Sequence, residues 1–189
     1  MGNLVFVQWR ILVFIICFVS PSFARMNLKD ASLIESVCKR TTYHDLCVSS
    51  LRSNPHSAGA DVKGLAHIML ELFFDKTKDN FVEVKKLQSA ATDPIIQECL
   101  RICSEQYSMT IDSFIPAAFK DLESNSISDA IANTAWAYGG PETCEEAFTE
   151  QPTRPSPLTA RNNYKRKQCV PNFNFKVDSN ECKDVIKYH

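Results

Sequence analysis

Residues 91–112 read ATDPIIQECLRICSEQYSMTID, and this stretch decides the fold class. Asp93 stands at a helix-cap position. Pro94 follows at the first helical position, where its missing N–H removes no intrahelical bond. From there Ile96, Leu100, Cys103, Tyr107, Thr110, Phe114 and Ala118 recur at steps of three and four. Such steps keep side chains on one helix face, and a stripe this long predicts a helix packed into a bundle at a shallow angle. Pro116 is expected to kink or end it, because its ring does not fit an uninterrupted hydrogen-bond ladder.

Upstream, Asp61 is placed to cap another helix, and Val62, Leu65, Ile68, Met69, Leu72 and Phe73 fall at helical spacing. Phe81, Val84 and Leu87 resume the pattern after the polar stretch 75–80, which is either a break or an exposed turn of one long helix. Downstream, a helix begins near Asn125 or Ser126. Its stripe is Ile127, Ala130, Ile131, Thr134 and Tyr138, and Gly139-Gly140-Pro141 is expected to stop it. Nearer the N-terminus, Leu33 to Cys38 starts a helical pattern, residues 39–46 read as a polar turn, and Cys47 follows. Two cysteines this close can staple a short hairpin; closing a loop of ten residues removes about 2.7 kcal/mol of unfolded-state entropy. Residues 51–60, with Pro55 and Gly59, read as a linker, and 151–158 (QPTRPSPL) as an extended or turn-like stretch. Beyond Tyr164 the periodicity weakens. Phe173, Phe175 and Val177 alternate as in a short strand, which is out of place in a helical domain.

Charge is nearly balanced, with 21 Lys+Arg against 22 Asp+Glu. A nucleic-acid binder would need a basic excess or stripe, so that class is set aside. Only 5 glycines also lean towards helices over a turn-rich β fold. Residues 1–24 read as a secretory signal: Arg10, then the apolar run Ile11 to Val19, then Ser22-Phe23-Ala24 before the cleavage point. The run is short of the ~20 residues a membrane helix takes, so no membrane association is expected after cleavage. Of the 8 cysteines, Cys17 lies in the signal, leaving Cys38, Cys47, Cys99, Cys103, Cys144, Cys169 and Cys182. In an oxidising compartment these predict disulfides and an odd thiol. A metal site is not expected: Cys99 and Cys103 share a helix face, but no second half-site completes four zinc ligands. No N-glycosylation sequon is present. No cofactor and no catalytic set is predicted. His44 and His56 fall in polar segments, His67 lies between apolar helical positions, His189 is the last residue, and no serine sits in a Gly-x-Ser-x-Gly elbow.

Three segments together resemble the plant invertase and pectin methylesterase inhibitor family: residues 38–51 (CKRTTYHDLCVSSL), 91–112 with its Cys103-x-x-x-Tyr107 step, and 142–148 (ETCEEAF). Residues 61–66 (DVKGLA) add to the likeness, which spans about 32–163. The resemblance implies an all-α fold, an N-terminal helical hairpin joined to an up-down-up-down four-helix bundle. The inhibitor domain would occupy residues 25–163, with a divergent tail at 164–189. It implies the disulfides Cys38–Cys47 and Cys103–Cys144. Cys99, one turn away, is read as a buried small apolar residue in preference to a member of a third disulfide, and the pairing of Cys99, Cys169 and Cys182 stays open. It implies a non-enzyme that binds a plant cell-wall enzyme and covers its cleft, either a pectin methylesterase or an acid invertase. Localisation would be apoplastic, or vacuolar for a vacuolar invertase.

Invertase-directed relatives carry Pro-Lys-Phe where this chain has Ile127-Ser128-Asp129, which favours pectin methylesterase. Over its length, however, the chain looks closer to sequences assigned as invertase inhibitors. In pectinesterase-directed relatives, polar and acidic residues of the second and third bundle helices face the enzyme; the candidates here are Glu98, Glu105, Gln106 and Asp112. A secreted helical ligand without inhibitory activity is the alternative from another class. The chain departs from the family after Asn163. Lys165-Arg166-Lys167 and then Pro171 stand where relatives have an apolar last helix, so that helix is in question and a groove on the other three is one outcome.

Overall fold

The computed structural model describes residues 28–41 and 43–167, with backbone alone for 164–167. The signal sequence, Cys169, Cys182 and the alternating Phe173, Phe175 and Val177 lie outside the described residues. An N-terminal hairpin comes first. Helix α1 (Leu28–Cys38) and helix α2 (His44–Ser53) are joined by the Cys38–Cys47 disulfide, Cα–Cα 5.6 Å. Their apolar faces meet: Ile34, Val37, Val48 and Leu51 are buried with Leu65, Ile68 and Met69 of the next long helix, which seats the hairpin on the bundle. The expected linker is therefore partly helical. Residues 51–53 end α2 because Leu51 is fully buried in that cluster, and Pro55–Ser57 form a single 3₁₀ turn. Gly59, at φ 76°, turns the chain, and its N–H is held by the Asp30 carboxylate at 3.1 Å.

Helix α3 (Val62–Ala90) starts where the Asp61 side chain accepts from the Gly64 N–H at 2.8 Å. The polar stretch 75–80 lies within this one continuous helix. Its two buried polar side chains are satisfied: Thr77 Oγ1 donates to the Phe73 carbonyl (2.7 Å) and Asn80 Nδ2 donates to the Tyr107 hydroxyl (3.4 Å). Helix α4 (Pro94–Met109) is capped by Asp93, which accepts from Ile95 N–H at 2.8 Å. A π turn (Thr110–Phe114) then leads into α5 (Ile115–Glu123), and the Ile115 N–H closes on the Thr110 carbonyl five residues back.

This π turn changes the stripe read from sequence. A π turn inserts one residue, about 100° of helix phase. Cys103, Tyr107 and Thr110 are buried, but the next buried position is Ile115, followed by Ala118 and Leu122. Phe114, expected in the core, is only half-buried. Pro116 does not end the element. It sits in the first turn of α5, just past the wider ladder, where an N–H is least needed.

Helix α6 (Ile127–Ala147) corrects a second expectation: Gly139-Gly140-Pro141 does not stop it. A proline inside a helix costs about 3 kcal/mol. That cost is offset because Ala137, Gly140, Pro141, Cys144 and Ala147 are buried, and Cys103–Cys144 ties α6 to α4 at Cα–Cα 4.5 Å. Gly140 permits the close approach: a β-carbon there would lie 3.0 Å from Thr110 Oγ1 and 3.4 Å from the Gln106 carbonyl.

The chain returns through residues 148–158 to α7 (Thr159–Lys167), so the helix runs through Lys165-Arg166-Lys167, where the sequence suggested replacement. Leu158, fully buried among Val84, Leu100 and Phe148, anchors its start. Helices α3, α4–α5, α6 and α7 are the four members of an all-helical bundle, and no strand occurs among the described residues. Among these, no helix is long and apolar enough to cross a membrane.

Candidate functional site

Three of the four acidic or polar candidates stand outward on one side of α4 and the π turn. Glu98, Glu105 and Asp112 are exposed and spaced by seven residues, which brings successive members back to one helix face. Arg101 lies between the first two. Its Nε and Nη2 reach Glu98 Oε2 and Oε1 at 2.8 and 2.6 Å, and its Nη1 donates to Glu105 Oε1. The Arg101 hydrogen bonds hold the Glu98 carboxyl below its usual pKa, and the two carboxylates raise that of Arg101. Arg101 is thus engaged within the face and is not a free cation. Asp112 accepts from Ser108 Oγ at 2.7 Å. Gln106 behaves differently: it is half-buried, with its Cβ facing Gly140 in the α4–α6 contact.

Helix α6 completes the face. The disulfide at Cys103–Cys144, the Thr110–Gly140 contact and a ring stack between Phe114 and Trp136 (centroids 6.4 Å, 22° between planes) set an antiparallel register. Asp129, seven residues before Trp136, is exposed on α6. From Pro94 to Phe114 and from Ile127 to Ala147, Arg101 is the sole Lys or Arg, against Glu98, Glu105, Asp112, Asp129, Glu142, Glu145 and Glu146. The two helices are therefore acidic in composition, although Glu145 turns to the α7 side, where Ser156, Thr159 and Asn162 donate to it. Sequence reasoning missed the half-exposed Trp136 and the half-buried Phe114 that stacks on it. The available signal was a lone Trp in an alanine-rich stretch, offset from the stripe Thr134 and Tyr138.

The remaining titratable groups serve other ends. His67 packs against Phe119 (centroids 4.9 Å) and lies 3.5 Å from Glu71. His44 bridges Glu35 and Asp45 in the hairpin. Cys99 is buried, its Sγ donating to the Ala147 carbonyl at 3.2 Å, and burial raises its thiol pKa. Such a thiol is a poor nucleophile. Cys103, the other half of the notional zinc pair, is spent in its disulfide. Among the described residues no cluster of His, Cys, Asp and Glu could hold a metal ion.

The family model described as "Plant invertase/pectin methylesterase inhibitor" matches residues 32–173. The chain belongs to the plant invertase/pectin methylesterase inhibitor family. It is 32% identical over 148 residues to a pectinesterase inhibitor of Actinidia deliciosa, covering 78% of this chain and 80% of that one. It is 29% identical over 140 residues to cell wall / vacuolar inhibitor of fructosidase 2 of Arabidopsis thaliana, covering 73% and 77%. Among solved structures, a mutant form of a pectin methylesterase inhibitor from Arabidopsis aligns with TM-score 0.62 at 18% identity, over 72% of this chain and 90% of that one. That likeness supports the helical-bundle fold. Members of this inhibitor family are not catalysts.

Proposed function

We propose that the protein is a secreted inhibitor that binds a plant cell-wall carbohydrate-active enzyme and blocks its substrate cleft, with pectin methylesterase the favoured target. The observation that carries this reading is the acidic face of α4 and α6, Glu98, Glu105, Asp112 and Asp129, on a disulfide-clamped pair of helices. A rigid charged face suits a stoichiometric protein complex, since it loses little conformational freedom on docking and steers the encounter. The Actinidia pectinesterase inhibitor, at 32% identity, and Ile127-Ser128-Asp129 in place of Pro-Lys-Phe both favour the pectin methylesterase reading. Site of action would be the apoplast.

The second reading is an acid invertase inhibitor of cell wall or vacuole, favoured by the likeness to the Arabidopsis fructosidase inhibitor. Titration of the secreted protein against a plant pectin methylesterase and an acid invertase at about pH 5 separates the two. The favoured reading expects loss of methylesterase activity at near-stoichiometric inhibitor. Loss of invertase activity alone selects the second. If neither activity falls at micromolar excess, both fail and a ligand without inhibitory activity remains.

A further inference from the structure

Glu98, Arg101 and Glu105 lie three and four residues apart on one face of α4 and form a single hydrogen-bonded unit. The Arg101 guanidinium takes both oxygens of Glu98: Nε donates to Oε2 at 2.8 Å and Nη2 to Oε1 at 2.6 Å. Its Nη1 donates to Glu105 Oε1. The two carboxylates are therefore not equivalent. Glu98 is closed by a bidentate pair. Glu105 is held through one oxygen; its side chain is 59% exposed, and none of the described residues donates to its Oε2. Exposed ion pairs of this kind contribute little to stability. What the fork changes is freedom: a planar guanidinium clamped on one carboxylate fixes the direction of the other. The backbone beneath is fixed as well, because Cys103, between Arg101 and Glu105 in sequence, is disulfide-bonded to Cys144 of α6.

We infer that Glu105 is the residue of this face that meets a cationic side chain of the enzyme, and that Arg101, braced by Glu98, is the positioning residue that aims it. This rests on the inhibitor reading above. The partner group is an ammonium or a guanidinium, which a free carboxylate oxygen binds by a charge-assisted hydrogen bond. A divalent metal ion does not suit the place, since Arg101 already stands between the two carboxylates and no described cluster of acidic, His or Cys residues could hold one. Arg101 has two opposed effects on docking. Its charge weakens the negative field that steers a cationic partner, and its hydrogen bonds lower the cost of ordering Glu105 in the complex. Removing it should leave association as fast or faster and speed dissociation more. A residue serving only the helix would shift the melting point and leave both rates alone.

The test measures association and dissociation on immobilised enzyme: pectin methylesterase, or acid invertase if the wild-type chain inhibits only that. The chains are wild type, Arg101→Met, Glu105→Gln, Glu98→Gln and the double variant of Arg101→Met with Glu105→Gln, each with a melting curve. Arg101→Met is expected to raise the dissociation rate about tenfold without slowing association, at a near-wild-type melting point. Glu105→Gln should raise dissociation at least as much. Glu98→Gln should raise it less, because both Glu98 oxygens are spent on Arg101. In the Glu105→Gln background, Arg101→Met should change dissociation by less than about twofold, since it acts through Glu105. Unchanged dissociation for Arg101→Met or Glu105→Gln, an equal loss from Arg101→Met in both backgrounds, or a larger loss from Glu98→Gln than from Glu105→Gln would overturn the assignment while leaving the inhibitor reading standing. A wild-type chain that inhibits neither enzyme would overturn both.

Discussion

Asn162 in α7 donates its side-chain amide to the Glu145 carboxylate of α6 at 2.6 Å, from a position 1% exposed. Its carbonyl oxygen accepts from the Tyr107 hydroxyl of α4, and Asn80 of α3 donates to that same hydroxyl. One polar chain thus joins all four bundle helices. Ser156 and Thr159 complete the Glu145 carboxylate at 2.8 and 2.7 Å. Burial pushes the Tyr107 hydroxyl up to about 12, so it remains a donor throughout the physiological range. Leu158 and Asn162 fasten the first turn of α7. Asn162→Ala removes the central member, and the expected loss is about 2 kcal/mol, measured by urea unfolding. Asn162→Asp should be worse at neutral pH than at acid pH, because it sets a second carboxylate against Glu145. Equal stability of the wild type and both variants would show that the chain does not fasten α7.

The adjacent glycines of α6 should respond in opposite directions. A β-carbon at Gly139 meets nothing within 4 Å, so Gly139→Ala gains helix propensity and is expected to stabilise by about 0.5–1 kcal/mol. Gly140→Ala would bring its β-carbon to 3.0 Å from Thr110 Oγ1, which must give by a few tenths of an ångström against its own 2.9 Å bond to the Gln106 carbonyl, and should lower the melting point. Melting curves of the two single variants check this. Same-sign shifts would contradict the close approach at Gly140.

The two disulfides differ in the loop they close, with sequence separations of 9 and 41. The chain-entropy model gives about 2.7 kcal/mol for the first and about 4 kcal/mol for the second. Replacing Cys103 and Cys144 together by Ala should therefore cost more stability than replacing Cys38 and Cys47. The larger loss should be accompanied by exposure of Cys99. In the native protein Cys99 is 5% exposed with a raised thiol pKa, and iodoacetamide should label it slowly. Mass spectrometry after timed labelling measures both effects.

Acid pH should favour the N-terminal hairpin. The Asp45 carboxylate, and with it Glu35, raises the His44 pKa above 6.5 against the opposing effect of partial burial, while Arg52 shares Glu35 at 2.6 Å. A raised folded-state pKa means that the contribution is complete below 6.5 and lost as pH rises through the higher folded value. Asp93 has the reverse sense. Arg154, and then the Ile95 N–H, lower its pKa below 3.8, so its contribution is present above 3.8 and lost only in stronger acid. Both contributions are in place at about pH 5. His44→Gln is expected to reduce the difference in melting point between about pH 5 and pH 8. An unchanged difference would rule out His44 as its source.

What the sequence by itself determined is local. Asp61 and Asp93 mark helix starts because a cap bonds N–H groups two or three residues away. The stripe on α3 reads correctly from Leu65 onward, with Val62 in the first turn left exposed, and that on α4 as far as Thr110, because i to i+3 and i+4 neighbours lie on one helix face. Family motifs added the hairpin, the bundle and the inhibitor class. Only the tertiary structure decided what depends on distant partners. Helix α6 passes through Gly139-Gly140-Pro141 because Thr110 and Cys103, more than 25 residues upstream, reward its continuation. The π turn takes Phe114 out of the buried stripe, and there it stacks on Trp136 across the helix pair. Helix α7 forms despite its polar sequence because Tyr107 and Glu145 meet Asn162. No local propensity encodes these contacts; their energy exists only once helices far apart in sequence lie side by side.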